Sequence, residues 1–400
     1  MSGRPEVRSA GGPLDAIVVA GARPNFMKVA PVMRALNRRS DRFRGRLVHT
    51  GQHYDEALSA TFFRELGIPE PEANLAAGSG SHAEQTARVL SAFDKVLEAK
   101  PPHLVIVVGD VNSTVACALA ATKRWIPVAH VEAGLRSFDR RMPEELNRVV
   151  TDALSDYLFV TEESGMENLR REGLGHRAFL VGNVMIDTLL ENRARAETES
   201  RVLERFGVEK GAFVLVTLHR PENVDDPAAL ASIAAALREI AAATPVVFPA
   251  HPRTRARLES LALLAALEGT KGLALAPPLP YLDFLKALGG AALVLTDSGG
   301  IQEEAAVLST PCLTVRGSTE RPSTLAGRSH RLVAKDTGSI VAAAREMLRA
   351  PRARGGAPPL WDGRASERIV SILAERSAEI RRGGTFEPKS TSGAPAPKAD

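Results

Sequence analysis

Val131-Glu132-Ala133-Gly134-Leu135-Arg136, followed after Ser137 to Met142 by Pro143-Glu144-Glu145-Leu146-Asn147-Arg148, is the stretch on which the reading of the fold turns. The apolar run Pro127-Val128-Ala129-His130-Val131 leads into it and reads as a short buried strand. Pro143 and the two glutamates after it read as a helix start, because proline suits the first helical position and carboxylates favour the positive helix end. Ligands of open α/β sheets bind outside the carboxyl ends of the strands. Glu132 therefore stands at such an edge, and Glu144 and Glu145 stand at a helix start beside it, where carboxylates can exchange protons with a substrate. The competing reading is a charged loop whose acids pair with Arg136, Arg140, Arg141 and Arg148.

The same strand–turn–helix grammar extends on both sides. Upstream, Leu104-Val105-Ile106-Val107-Val108 is unbroken apolar sequence, as expected of a central parallel strand with both faces covered. It ends in Gly109-Asp110, so Asp110 is a second carboxylate on the same edge, or else a cap for the helix beginning near Ser113. Earlier still, Ala16 to Ala20 runs into Gly21-Ala22-Arg23-Pro24 and a helix through Met27, Ala30, Met33 and Leu36. A glycine turn at a helix start can hold an anion, with Arg23 and Lys28 supplying positive charge. The second and third glycines of a dinucleotide fingerprint are missing. Arg46 to Thr50 forms a strand ending in Gly51-Gln52-His53, and Gly78-Ser79-Gly80-Ser81-His82 reads as a flexible loop before an amphipathic helix. Strands follow at Tyr157–Val160 and Ala178–Val181, then a helical crossing at about 187–206.

The second half repeats the pattern. Phe213 to Leu218 precedes His219-Arg220, Val246 to Ala250 precedes His251, and Leu273-Ala274-Leu275 precedes the loop Pro277-Pro278-Leu279-Pro280-Tyr281. Leu293 to Thr296 ends in Asp297-Ser298-Gly299-Gly300, and a helix begins at Ile301-Gln302-Glu303-Glu304. Glycines there let backbone N–H groups approach an oxyanion, and Ser298 adds a donor. His219 and His251 at carboxyl edges are ligand candidates. The strand Cys312 to Val315 leads to Thr319-Glu320-Arg321-Pro322. Two successive β/α halves, each with an anion-facing glycine turn, imply an α/β protein of two Rossmann-like doubly wound domains facing across a cleft.

Bulk properties agree. Four hundred residues exceed what one hydrophobic core usually serves. Residues are 44% hydrophobic with no run long enough for a membrane span, and the polar first dozen residues lack a signal core. Cys117 and Cys312 sit in apolar contexts, as core residues of a cytosolic protein do. A net charge of +4 and 4% aromatic residues argue against nucleic acid, while a small anionic ligand is compatible.

Gly21-Ala22-Arg23-Pro24, Gly109-Asp110, His130 to Arg136, Pro143 to Arg148, His219-Arg220, Thr296 to Glu304 and Thr319-Glu320-Arg321-Pro322 recur in an order that closely resembles the non-hydrolysing UDP-N-acetylglucosamine 2-epimerases, over about residues 15 to 380. The resemblance implies a glycosyltransferase-B fold. Residues 14–183 would form an N-terminal domain, 184–363 a UDP-binding domain, and 364–382 a helix crossing back, between disordered ends at 1–13 and 383–400. It implies interconversion of UDP-N-acetylglucosamine and UDP-N-acetylmannosamine by anti elimination of UDP to 2-acetamidoglucal and re-addition. Neither metal nor nicotinamide would be required, and the expected form is a cytoplasmic homodimer. By motif, Asp110, Glu132 and Glu144 are similar to the family's acid–base carboxylates and His219 to its active-site histidine. Arg23, Ser298, Gly299 and Gly300 resemble its diphosphate ligands, and Glu304 its ribose ligand. Lys28, Gln52, His53, Arg136 and Arg321 resemble further pocket residues, with uracil expected near Pro277–Pro280. Departures include Asn25-Phe26-Met27, Pro221, the Gly78–His82 loop, which argues against conventional substrate activation, and Trp361. The rival readings are a 2-epimerase for a UDP-diacetamido-uronic acid, a glycosyltransferase of the same fold, a hydrolysing epimerase and a nucleotide-sugar sensor.

Overall fold

A computed structural model describes residues 11–21, 23–51, 65–325, 329–350 and 357–383, with Arg23 and Pro24 described by their backbone alone. Its strands form two sheets. The first contains β1 (Leu14–Ala20), β2 (Phe43–His49), β3 (Ala73–Asn74), β4 (Leu104–Val108), β5 (Val128–Ala133), β6 (Tyr157–Val160) and β7 (Ala178–Leu180) in the order β3-β2-β1-β4-β5-β6-β7. The second contains β8 (Val214–Thr217), β9 (Val246–Pro249), β10 (Leu273–Ala276), β11 (Leu293–Thr296), β12 (Cys312–Val315) and β13 (His330–Val333) in the order β10-β9-β8-β11-β12-β13. Every neighbouring pair is parallel.

Parallel strands covered on both faces explain the unbroken apolar runs. On β1, Ala16, Val18 and Ala20 join one core with Val29, Met33 and Leu36 of the Arg23–Arg38 helix. Ile17 and Val19, pointing the other way, join a second core with Val89, Phe93 and Leu97 of the His82–Ala99 helix. The second sheet is likewise covered twice, by cores that include Leu230 and Leu237 on one side and Phe213, Leu288 and Ala305 on the other.

In both sheets the strand order reverses at one point, between β1 and β4 and between β8 and β11. The crevice outside the strand ends at such a switch point is where open α/β sheets bind ligands. Gly21 and Gly109-Asp110 leave the first switch point, and His219 and Asp297-Ser298 leave the second. Glu132 is the penultimate residue of β5, the strand next to β4.

The two halves are packed along a seam. Val184, Ile186 and Leu189 of the Val184–Glu199 helix, Tyr281 and Leu285, and Trp361, Ile369 and Leu373 all belong to the core of the Arg23–Arg38 helix. Asp187 accepts Ala365 N at 3.0 Å and Ser366 N at 2.7 Å, holding the start of the Ala365–Glu375 helix against the Val184–Glu199 helix. Buried Trp361 donates its indole N–H to Thr161 O at 2.9 Å, across the same seam.

Several local expectations change. The helical crossing begins at Val184, capped by the Asn183 side chain, and breaks at Ser200 before a short Val202–Phe206 helix. The end of the Gly78–His82 loop is an ordered capping box, in which Ser81 and Glu84 satisfy each other's backbone N–H groups. β3 and β13 were not expected: β3 has two residues, and β13 opens with the polar pair His330-Arg331 at a sheet edge. The expected end segments at 1–13 and 383–400 lie almost wholly outside the described residues. No described helix is long and apolar enough to cross a membrane.

Candidate active site

Three segments of the first sheet converge at its switch point. Gly109 has φ +71°, and a Cβ placed on it would lie 3.2 Å from Asn25 Nδ2, 3.5 Å from Lys28 Nζ and 3.6 Å from Glu132 Oε2. The left-handed turn and the close approach both favour glycine. Glu132 lies in the left-handed region as well, with φ +74°, where the register of β5 on β6 shifts between Val131 and Ala133. A non-glycine residue there is strained by on the order of 1–3 kcal/mol, and bulges and strain of this kind gather at functional sites.

The buried Glu132 carboxylate is gripped from both halves of the molecule. Lys28 Nζ pairs with one oxygen, and Arg321 Nη2, from the loop after β12, reaches the other at 2.8 Å. Burial opposes its ionisation, but the Lys28 and Arg321 charges outweigh it and hold the carboxyl below the ordinary range. Arg321 also pairs through Nε with buried Glu303, whose carboxyl is raised by burial in spite of that arginine.

Asp110 is not a helix cap. The helix beyond it spans Asn112–Lys123 with Val111 at its N-cap and no side-chain cap bond. Its carboxylate instead accepts Arg148 Nη1 at 3.0 Å, and its carbonyl accepts Asn147 Nδ2 at 2.9 Å. Both donors come from the helix Pro143–Leu154, which begins at the residue the sequence pointed to. At its first turn the two glutamates divide. Glu145 is buried and accepts Ser137 N at 2.8 Å, Phe138 N at 3.1 Å and Arg148 Nη2 at 3.2 Å, so it holds the preceding loop. Glu144 is half-buried and makes no side-chain hydrogen bond or ion pair among the described residues.

Arg136 is committed elsewhere. Its guanidinium donates to Glu172 at 2.8 and 2.6 Å and to Leu135 O at 2.8 Å, and pairs with Asp152 at 2.7 Å. The structure therefore gives it a scaffolding contact set. Lys28 lies on the site as an ion-pair partner of Glu132. The Arg23 side chain, Gln52 and His53 lie outside the described residues.

The second edge is built differently. Ser298 is the N-cap of the Gly299–Leu308 helix, so the first N–H groups of that helix open toward the cleft. A Cβ on Gly299 would lie 2.8 Å from Arg321 Nη1, which puts this helix start against the cation that holds Glu132. Beneath it, fully buried Asp297 accepts His219 N at 3.1 Å, Arg220 N at 3.0 Å and Asn223 Nδ2 at 3.2 Å. Burial opposes ionisation of Asp297, but hydrogen bonding and charge from His219 hold its carboxyl below the ordinary value. The His219 ring pairs with Asp297 through Nδ1 at 3.1 Å while the side chain stays 48% exposed, a tethered group open to a ligand.

A cavity of about 300 Å³ lies beside His219, lined by Ser298, Glu304, Tyr281, Leu279, Pro278 and His251. His251 is also the N-cap of the helix Pro252–Ser260, its Nδ1 accepting Arg253 N at 3.3 Å. Glu304 Oε1 and the Tyr281 hydroxyl are buried without a partner among the described residues. Burial, and next the neighbouring Glu303, push the Glu304 carboxyl up to about 8. An unpaired buried carboxyl and hydroxyl in one apolar cavity suit a ligand that brings its own hydroxyls. Asp297, Glu303 and Arg148 were in view as motif members but not singled out for the site. Only the acidic residue directly before Ser-Gly-Gly offered a local signal.

Two parallel sheets, each Rossmann-like, with switch points opposed across a cleft define a protein of the glycosyltransferase-B fold class. The model of the UDP-N-acetylglucosamine 2-epimerase family matches residues 34–374. The UDP-N-acetylglucosamine 2-epimerase of Methanocaldococcus jannaschii is 42% identical over 361 residues, 89% of this chain and 98% of the relative. The UDP-2,3-diacetamido-2,3-dideoxy-D-glucuronate 2-epimerase of Pseudomonas aeruginosa is 40% identical over 363 residues, 90% of this chain and 99% of the relative. The crystal structure of the M. jannaschii enzyme with UDP-GlcNAc and UDP superposes with a TM-score of 0.84, covering 90% of this chain and all (100%) of that one. That of the Neisseria meningitidis enzyme bound to UDP-GlcNAc, 29% identical, gives 0.82 at coverages of 90% and 100%. The chain belongs to the UDP-N-acetylglucosamine 2-epimerase family.

Proposed function

We propose that the chain interconverts UDP-N-acetylglucosamine and UDP-N-acetylmannosamine, by anti elimination of UDP to 2-acetamidoglucal, return of UDP to C1 and delivery of a proton to the opposite face of C2. The observation that carries this is the grip on Glu132: a strained carboxylate at the first sheet edge, bound by an arginine that abuts the glycine helix start of the second. A C2 proton has no neighbouring carbonyl to acidify it, so breaking the C1–O bond must run ahead of its removal. As that bond breaks, its electron pair leaves with the diphosphate, positive charge grows at C1, and C2–H becomes acidic. One carboxylate takes the proton; re-addition of UDP and delivery of a proton from the other face complete the inversion.

In this reading Asp110, Glu132 and Glu144 share the proton work, and a positioned acid or base contributes about 10²–10⁴ in rate. Ser298, Gly299, Gly300 and Arg321 hold the departing diphosphate, with His219 beside them and Arg23 at the first turn. N–H donors fixed before the reaction stabilise developing charge without reorganising. Glu304 holds the ribose hydroxyls, and the apolar cavity by Pro278 and Leu279 takes the uracil. Arg136 serves the scaffold.

The test is incubation with UDP-N-acetylglucosamine in D₂O, followed by NMR. Deuterium at C2 with the manno epimer appearing is expected. Free sugar plus UDP would indicate hydrolysis, and transfer to an acceptor without C2 exchange would indicate a glycosyltransferase. A parallel run with the substrate named for the Pseudomonas relative measures sugar preference.

A homodimer is part of the same proposal. Leu146, Val149 and Val150 are 43%, 41% and 43% exposed on one face of the Pro143–Leu154 helix, whose other face holds Arg148 against Asp110. Light scattering at twice the 42.7 kDa chain mass supports it, and a monomer at working concentration removes it. Two buried free thiols fit a reducing cytoplasm.

A further inference from the structure

We infer that His130 and Asp152 are a buried positioning pair that sets the two turns carrying Asp110 and Glu132; the inference rests on the epimerase reading of those acids. His130 lies within β5 and is 0% exposed. Its Nε2 is 2.9 Å from Gly109 O, and its Nδ1 is 2.7 Å from Asp152 Oδ1. A carbonyl oxygen only accepts, so Nε2 donates. The other Asp152 oxygen receives Gly134 N at 3.1 Å and pairs with Arg136 Nη2 at 2.7 Å. Burial opposes its ionisation, yet His130 and then Arg136 hold the carboxyl below the ordinary range. The ring therefore bridges the Gly109 carbonyl and the Asp152 carboxyl, one nitrogen to each.

What this pair grips is the backbone on either side of the acids. Gly109, with φ +71°, immediately precedes Asp110, and Gly134, with φ +80°, follows Glu132 by two residues. One imidazole fixes the carbonyl of the first turn and, through Asp152, the amide of the second. Little slack exists behind the second turn, where a Cβ on Gly134 would meet Gly165 O at 2.5 Å. A misplacement of about 1 Å at reacting groups can lower the rate about 10²-fold, so such a brace acts on kcat without touching substrate.

Three variants separate positioning from plain stability. Asp152→Asn keeps the shape but removes the charge, His130→Gln keeps a donor toward Gly109 but loses Asp152, and His130→Ala loses both. We expect kcat to fall about 10- to 100-fold in the first two and further in His130→Ala, so that glutamine partly rescues alanine. KM and calorimetric UDP affinity should stay within about threefold of the parent chain. No turnover by the parent chain overturns the epimerase reading itself. An active parent with parent-like kcat in all three variants overturns this pair alone, as does kcat falling only in step with UDP affinity. If the variants do not fold, ¹⁵N-histidine spectra of the parent chain settle it. A His130 ring N–H protected from solvent exchange supports the pair, and one that exchanges like an exposed imidazole overturns it.

Discussion

At the carboxyl edge of the first sheet, Asp110, Glu132, Glu144 and Glu145 stand among Lys28, Arg148 and Arg321; at that of the second stands a helix start capped by Ser298, with Asp297 buried beneath it. Both edges arise from one topology, a parallel sheet with a switch point. Their difference shows how each kind of charge can be kept in place. Side-chain carboxylates near a dry cleft need cations or hydrogen bonds to stay ionised, so the first edge is laced with ion pairs. Peptide donors at a helix start carry partial charge without a counter-ion, so the second edge can stay open to an anion. Arg321 belongs by sequence to the second half and by contact to both, pairing with Glu132 and Glu303 while abutting Gly299.

The largest effect that would sharpen this contrast is at Glu132. Glu132→Gln should lower the rate of C2 deuterium exchange by about 10²–10⁴ while UDP affinity changes little. An equal loss of UDP affinity would erase the division of labour between the edges. Next come the twin glutamates. Glu144→Gln should lower kcat by on the order of 10²-fold with Tm unchanged, since no described contact holds Glu144. Glu145→Gln should instead lower stability by about 1–3 kcal/mol, because Ser137 N and Phe138 N lose an ionised acceptor.

A third test uses pH. With its carboxyl pushed up to about 8, Glu304 keeps its proton in the folded state after the unfolded chain has released it. The raised value contributes stability that is full below about pH 4.5 and is lost as pH rises toward 8. Denaturant unfolding of the ligand-free chain should show a decline on the order of a few kcal/mol across that window. Glu304→Gln should flatten it, and an unchanged slope would show that the cavity does not bury this acid. The smallest effect concerns the second edge itself. Ser298→Ala should weaken UDP binding and the helix start by about 1 kcal/mol each, read by calorimetry and thermal unfolding.

Much of this architecture was readable beforehand. Leu104–Val108, Tyr157–Val160, Leu293–Thr296 and Cys312–Val315 are strands with the limits their apolar runs suggest, and Pro143 does open its helix. β13 escaped because an edge strand with one half-exposed face tolerates His330-Arg331, and β3 because two residues carry no periodicity. Asp110 also read as a cap, and only the structure, with Val111 at the cap and Arg148, 38 residues along the chain, on the carboxylate, removes that role. The left-handed backbone of Glu132 had no sequence signal, since a glutamate announces no positive φ.

Sequence alone determined where central strands such as Leu104–Val108 and Leu293–Thr296 end, and therefore which residues stand just beyond them, because covering a parallel strand on both faces demands continuous apolar residues up to its last turn. Tertiary structure alone decided which charges meet: Glu132 with Arg321 across 189 positions, Glu145 but not Glu144 engaged, Arg136 drawn inward to Asp152. Charge pairing depends on distances of a few ångströms between segments far apart in sequence, and no local pattern encodes those.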